Sequence, residues 1–150
     1  MLDSLPDVII HTVFSTGEQR PCLAKPVRGD LNRCIATALK LCDSPALLIR
    51  SLDDHVHILS ALDLDWSVDD VVNEVKKRSA HWLSNCVDGF EDFRWQLGYA
   101  SFSVGKTNAR EIYEYIACQE DLHLRESFKE EYRRLLDEHG LEYDETEMWE

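Results

Sequence analysis

The amino-acid sequence predicts an α+β fold, and three observations support this. Segments rich in β-branched and apolar residues occur four times, at residues 8–16, 46–51, 55–61 and 99–104. Amphipathic helical periodicity lies between and after these segments. With 150 residues and 44% hydrophobic content, the chain is long enough for one domain with a proper core.

In the N-terminal half, a strand is predicted at residues 8–16 and a loop at residues 17–26. From about residue 28 to residue 42, apolar residues recur at intervals of three and four, which predicts an amphipathic helix. Two adjacent strands then follow, at residues 46–51 and 55–61, and we expect Asp53-Asp54 to form the turn between them.

In the C-terminal half, Ser67 is predicted to cap a second helix that runs to about Leu83. The segments after it are predicted as a loop at 85–98, a strand at 99–104, a helix from Thr107 or Asn108 to Glu120, a helix at 126–139 and a tail without a usable pattern at 141–150. The order β-α-β-β-α-β is a ferredoxin-like split βαβ with an antiparallel sheet and added C-terminal helices. This fold alone does not define a function.

The charge is unevenly distributed along the predicted single domain, residues 1–150. The net charge is −13. Residues 111–150 contain 14 acidic and 4 basic residues, and the acidic C-terminal helix and tail span about 121–150. Because an acidic protein has no general attraction to nucleic acid, any DNA binding must be local, with the acidic segment facing elsewhere.

The sequence also allows a prediction of the cellular compartment of the protein. No apolar run approaches the roughly 18 residues of a membrane span, and no basic segment precedes the first apolar run as in a signal peptide. The five cysteines include no C-x-x-C pair. We therefore expect a reduced, cytoplasmic protein.

A pair of histidines lies in the strand predicted at residues 55–61. Because side chains alternate along a strand, His55 and His57 project to one face while Val56 and Ile58 enter the core. Two neutral imidazoles at this spacing can bind one divalent cation. The alternative is an exposed strand face that carries two histidines incidentally.

A second candidate motif lies in the helix that ends near Glu120. Tyr115 and Gln119 are four residues apart and therefore share a helix face. A tyrosine phenoxide is a competent nucleophile and leaving group, and a carboxamide oxygen one turn away can complete a site for a hard metal ion. The alternative is a surface tyrosine with an unrelated glutamine.

Together these motifs resemble one protein family. His55-Val56-His57, preceded by Asp54, resembles the histidine–hydrophobe–histidine motif of HUH endonucleases. Residues 115–120, YIACQE, are similar to the nucleophile helix of the single-tyrosine HUH transposases of small bacterial insertion sequences, the IS-two-hundred type. The similarity runs from about Ile9 to the C-terminus, with further matching segments at 13–16, 95–99, 102–104, 128–131 and 139–145.

The resemblance implies a mechanism and an assembly. His55, His57 and Gln119 would hold Mg²⁺ or Mn²⁺, which would polarise a phosphodiester of single-stranded DNA near a hairpin. Tyr115 would attack the phosphorus, leaving a free 3′-hydroxyl and a 5′-phosphotyrosine link that a second 3′-hydroxyl can resolve. The family acts as a homodimer. Whether Tyr115 acts in its own subunit or in the partner stays open.

Candidate DNA-binding residues are less specific. Lys76, Lys77 and Arg78 form the one basic cluster of the sequence and could contact the DNA backbone, although a solvated helix face is an equal alternative. Further candidates are Arg20, Arg28 and Arg33 and, for stacking on unpaired bases, Phe93, Trp95 and Tyr99. The remaining histidines, His11, His81, His123 and His139, are interpreted as structural.

Three functions are therefore considered. The first is a transposase that cleaves and rejoins single-stranded DNA. The second is a domesticated relative that keeps the dimer and binds a DNA or RNA hairpin but cuts poorly. The acidic composition and Gly17-Glu18, where relatives carry a basic residue, argue against strong DNA binding. The third is a ferredoxin-like interaction domain with an incidental histidine pair.

Overall fold

A computed structural model describes residues 7–150 of the protein. Residues 1–6 lie outside the described residues. They are part of the predicted domain and of the N-terminal segment that is predicted not to be a signal peptide. The strands are Ile9–Ser15 (β1), Ala46–Ser51 (β2), His55–Ala61 (β3) and Ala100–Val104 (β4), and the helices are Lys25–Leu41 (α1), Val68–Cys86 (α2), Ala109–Ala117 (α3), Gln119–Leu122 (α4) and Phe128–Glu138 (α5).

The four strands form one antiparallel sheet in the order β2-β3-β1-β4. β1 lies in the centre, where its Val13 is opposite His57 of β3 and Ala100 of β4. A central strand is covered on both faces, and all but one residue of β1 is buried. This topology confirms the predicted α+β fold with a ferredoxin-like sheet and added C-terminal helices.

Each face of the sheet has its own core. On one face, Phe14, Val56 and Ile58 pack against apolar residues of α1 and α2. On the other face, Val13 and Phe102 pack against the apolar side of α5. Because Val56 points towards α1 and α2, its neighbours His55 and His57 point towards α5, as strand alternation predicts.

Several boundaries differ from the prediction. α1 begins at Lys25, because Pro26 fits the first helical turn, where no backbone N–H bond is lost. The helix predicted to continue to Glu120 ends at Ala117, because Cys118 leaves helical geometry (φ −97°, ψ 17°) before the single turn of α4. Within residues 7–150, no helix is both long enough and apolar enough to cross a membrane.

The C-terminal segment, for which no pattern was predicted, packs against the domain. Residues Glu147–Trp149 form a 3₁₀ turn. The carbonyl oxygen of Met148 accepts a hydrogen bond of 2.7 Å from the Gln96 side chain. The Trp149 ring lies 5.5 Å from the ring of Tyr132 in α5. These contacts depend on residues far away in the sequence, so no local pattern could reveal them.

The start of α5 is closed by a capping box. The Ser127 hydroxyl accepts a hydrogen bond from the backbone of Glu130, and the Glu130 carboxylate accepts one from the backbone of Ser127. This reciprocal pair satisfies two N–H groups that the helix leaves unpaired.

We expect Ser127→Ala to lower the free energy of unfolding by about 1 kcal/mol, because it removes the capping acceptor. Urea unfolding followed by circular dichroism measures the change. Ser127→Asp is the matched control, since aspartate keeps a capping oxygen and should retain most of the stability. Equal loss in both variants would contradict the assignment.

Candidate active site

The face of the sheet beneath α5 carries a cluster of buried side chains. β3 presents His55 and His57, and α5 brings the carboxylate of Glu131 between them. Oε1 of Glu131 lies 3.2 Å from Nε2 of His57 and 3.4 Å from Nε2 of His55. The side chains of these three residues are at most 1% exposed. One metal ion could be held by these three side chains.

The imidazole rings around the cluster are oriented by hydrogen bonds from behind. Nδ1 of His55 donates to the Asp54 carboxylate at 2.6 Å, and Nδ1 of His123 donates to the carbonyl oxygen of Glu126 at 2.6 Å. Because both acceptors lack a proton, each Nδ1 must carry one, which leaves Nε2 of a neutral ring as a lone pair facing inwards. Nδ1 of His57 shares a hydrogen bond of 2.8 Å with Nε2 of His11. Such outer partners are typical of metal-binding histidines.

Gln119 contributes an oxygen to the same cluster. Its side-chain amide donates to Oε2 of Glu131 at 2.6 Å. Its Oε1 therefore points inwards, 3.3 Å from Nε2 of His55 and 2.9 Å from Nε2 of His123. Lone pairs of nitrogen and oxygen thus converge, and only positive charge between them, as protons or a metal ion, makes the arrangement favourable.

The donor set suits a divalent ion. Neighbouring ligands of an octahedral ion with bonds of about 2.1 Å lie about 3 Å apart, close to the 3.2 Å and 3.4 Å that separate the Glu131 carboxylate from the two histidine nitrogens. Imidazole, carboxylate and amide donors are acceptable to Mn²⁺, and the oxygens to Mg²⁺.

The pKa values of His55 and Glu131 also indicate that the cluster is stabilised by positive charge. Burial opposes protonation of His55, but its hydrogen bonds to Asp54 and Glu131 outweigh burial and raise its pKa to about 9. Burial also opposes ionisation of Glu131, but the surrounding histidines hold its pKa well below the usual range. The centre of the cluster therefore favours one positive charge beside the ionised carboxylate of Glu131.

Tyr115 of α3 reaches this cluster within the same chain. Its hydroxyl donates a hydrogen bond to Oε2 of Glu131 and accepts one of 2.8 Å from Nη2 of Arg134. Its ring meets that of His57 edge-on, with centroids 6.1 Å apart. Burial, followed by the charge of Glu131, raises the pKa of the phenol. The only candidate nucleophile of the sequence analysis thus lies against the carboxylate that faces both histidines.

The structure brings together all four residues that were predicted for catalysis and metal binding: His55, His57, Tyr115 and Gln119. It adds Glu131, which sequence reasoning missed, and it places His11 and His123, interpreted as structural, in direct contact with the cluster. One signal for Glu131 was present in the sequence. It is an acidic residue on the apolar face of α5, between Phe128 and Tyr132.

The predicted DNA-binding residues lie away from the cluster. Lys76 is on α2, across the sheet, and its ammonium donates to the carbonyl oxygens of Gln96 (2.8 Å) and Gly98 (2.6 Å). Burial lowers the pKa of Lys76 to about 8. This side chain therefore supports the loop before β4.

The other members of that set are exposed or line a surface groove. Lys77 and Arg78 line a groove between α1 and α2, where Arg78 pairs with Glu74 at 2.6 Å. Arg20 pairs with Glu18 at 3.0 Å on an exposed loop. Of the aromatic candidates, Trp95 is buried and donates to the Ser79 hydroxyl. DNA contact by Lys77, Arg78 and Arg20 stays a prediction.

Comparison with known proteins identifies the family to which this fold and this cluster of side chains belong. A family model described as IS200-like transposase matches residues 4–119. The chain belongs to this family of IS200-like transposases. No curated protein sequence matches the chain significantly.

Two solved structures share the fold. A candidate transposase from Deinococcus radiodurans R1 superposes with a TM-score of 0.64 at 17% identity, covering 79% of this chain and 95% of the other. A REP-associated tyrosine transposase bound to a REP hairpin superposes with a TM-score of 0.60 at 17% identity, covering 82% of this chain and 74% of the other.

We expect Glu131→Gln to weaken Mn²⁺ binding by roughly tenfold or more, because the variant loses the anionic ligand while keeping its shape. Titration followed by electron paramagnetic resonance of free Mn²⁺ measures the affinity. Glu130→Gln on the adjacent exposed position is the matched control, since glutamine also serves in a capping box. Unchanged binding in Glu131→Gln would show that the ion is held elsewhere.

Proposed function

We propose that this transposase-family protein cleaves and rejoins single-stranded DNA through a 5′-phosphotyrosine link to Tyr115, at ends that carry hairpins. The observation that carries the proposal is the hydrogen bond between the Tyr115 hydroxyl and the Glu131 carboxylate, whose other oxygen faces His55 and His57. A nucleophile, a proton acceptor and a set of metal ligands thus meet at one point.

In this proposal, His55, His57, Glu131 and Gln119 hold a divalent ion, Mg²⁺ or Mn²⁺. When bound, the ion would act as a Lewis acid on the phosphodiester. Asp54 and His11 would orient the two strand histidines from behind. Because Glu131 has two oxygens, one can face the ion while the other receives the phenol proton.

The protein residues carry the rest of the reaction. The phenol oxygen of Tyr115 attacks phosphorus as its proton moves along the hydrogen bond to Oε2 of Glu131, which relays it to solvent. The bond from phosphorus to the 3′-oxygen breaks, and that oxygen leaves with a proton from solvent. In the reverse direction another 3′-hydroxyl attacks the phosphotyrosine, so strands rejoin without an external energy source.

Arg50 supplies a further reason to propose a phosphodiester substrate. It lies opposite His57 in the pairing of β2 with β3, so both side chains project from the same face of the sheet. Its Nε is buried and has no hydrogen-bond partner among residues 7–150. A phosphate oxygen bound beside the histidines would provide the missing acceptor.

The hairpin and the homodimer belong to the same proposal. The hairpin is supported by the relative that was solved with a REP hairpin. Strand exchange needs two ends held together, which a homodimer with one tyrosine in each chain would provide. Hairpin binding without cleavage, the second function considered from the sequence, is an outcome of the following test.

We expect the protein to form a covalent adduct with end-labelled, hairpin-bearing single-stranded oligonucleotides in the presence of Mn²⁺ or Mg²⁺. Tyr115→Phe should form none, because it removes the nucleophilic oxygen. Denaturing gel electrophoresis detects the adduct. Tyr113→Phe, two residues away and 44% exposed, is the matched control and should react normally. Hairpin binding by the unmodified protein without any adduct would favour the binding function instead.

We expect Arg50→Gln to weaken binding of the same oligonucleotides about tenfold, because a charge-assisted contact to phosphate is lost. Fluorescence anisotropy at fixed salt, in the Tyr115→Phe background, measures affinity without cleavage. Arg110→Gln on the exposed side of α3 is the control. Equal weakening in both variants would indicate a general charge effect.

A further inference from the structure

Arg134 of α5 contacts the phenol oxygen of Tyr115 directly. Its Nη2 donates a hydrogen bond of 2.8 Å to the Tyr115 hydroxyl, and its guanidinium carbon lies 5.6 Å from the centroid of the tyrosine ring. We propose that Arg134 is a further catalytic residue, which stabilises the negative charge on the phenol oxygen while the bond to phosphorus forms or breaks. This inference rests on the proposed function.

The guanidinium is held in place by two carboxylates. Glu126 accepts from Nε at 2.9 Å and from Nη2 at 3.2 Å, and Glu138 accepts from Nη1 at 3.1 Å. Because these hydrogen bonds fix its position, the arginine has already lost the side-chain freedom that it would otherwise lose on reaction. Its contact with Tyr115 is therefore preorganised, as stabilisation of a developing charge requires.

The positive charge of Arg134 acts in the rejoining step, when the phenol oxygen of Tyr115 is the leaving group. The 3′-oxygen of the incoming strand forms a bond to phosphorus, and the bond from phosphorus to the phenol oxygen breaks. The electron pair of the broken bond stays on the phenol oxygen, and the proton released by the 3′-hydroxyl finally returns to it. Until that proton arrives, the tyrosine carries negative charge, and cleavage passes through the same transition state in reverse.

Glu131 cannot meet this need by itself. An ionised carboxylate next to the phenol oxygen raises the energy of a phenolate, because Oε2 of Glu131 is in hydrogen-bond contact with that oxygen. Arg134 is the cationic group that touches the phenol oxygen among residues 7–150. The two residues divide the work: Glu131 exchanges the proton, and Arg134 stabilises the charge.

The experiment isolates the covalent adduct and measures the rate at which a 3′-hydroxyl oligonucleotide resolves it with Mn²⁺ present. We expect Arg134→Gln to slow rejoining and cleavage by roughly 10- to 100-fold, and Arg134→Lys to slow both less. Arg133→Gln is the matched control, because the neighbouring Arg133 pairs with Glu145 on the exposed side of α5, and it should react at nearly the normal rate.

A second measurement separates charge stabilisation from simple packing. With 3-fluorotyrosine at position 115, the phenol oxygen holds negative charge more readily. The fluorinated residue should therefore raise the rejoining rate of Arg134→Gln several-fold, while thermal stability and Mn²⁺ affinity stay unchanged. An Arg134→Gln defect that fluorination does not relieve would overturn the proposal, as would normal rates in Arg134→Gln.

The outcomes also separate this inference from the function on which it rests. Absence of any adduct with the unmodified protein overturns the proposed function, and the role of Arg134 with it. An adduct that forms normally and is resolved at an unchanged rate in Arg134→Gln overturns the role of Arg134 alone.

Discussion

The arrangement of the site depends on one buried carboxylate. Glu131 is fully buried on the side of α5 that faces the sheet, where an ionised group is stable only if charges and hydrogen bonds replace water. His57 and His123 face one of its oxygens, and Gln119 and Tyr115 donate to the other. Strand β3 and the segment from α3 to His123 are thereby tied to one side chain of α5. Removing that side chain would leave the histidines facing one another without compensation.

The same dependence explains the acidic C-terminal segment. Its charge argues against DNA chemistry only if its carboxylates face solvent freely. Glu131 instead serves the histidine cluster, and Glu126 and Glu138 hold Arg134. Glu145 pairs with Arg133 at 2.5 Å. The segment that makes the chain acidic is thus also the one that builds half of the site, so the net charge is a poor guide to whether the site can act on DNA.

Local patterns predicted the parts of this structure that depend on local geometry. The faces of His55 and His57 followed from strand alternation, since Val56 and Ile58 do enter the α1–α2 core. The antiparallel, ferredoxin-like sheet followed from the order of the elements along the chain. Tyr115 and Gln119 required the family resemblance, because their spacing alone left a surface tyrosine as the better reading.

The rest of the site could not be predicted because it depends on contacts between distant segments. Glu131 is one of 14 acidic residues in its segment, and only the packing of α5 on the sheet distinguishes it. Lys76 showed the opposite effect. Its neighbours Lys77 and Arg78 suggested a DNA-binding cluster, yet its ammonium is satisfied by carbonyl oxygens 20 and 22 residues away. A cluster of basic residues in the sequence shows only that they are close along the chain. It does not show which of them already have hydrogen-bond or ion-pair partners in the folded protein.

Helix α5 therefore carries both the carboxylate that faces the histidines and the guanidinium that contacts Tyr115. Glu131 and Arg134 are three residues apart on α5 and so lie on the same side of the helix, one turn from each other. The first faces the histidines, and both contact the phenol oxygen of Tyr115. Because both residues belong to one helix, a shift of α5 moves the Glu131 carboxylate and the Arg134 guanidinium together. In the proposed function, metal binding and the reactivity of Tyr115 would then be coupled through the position of α5.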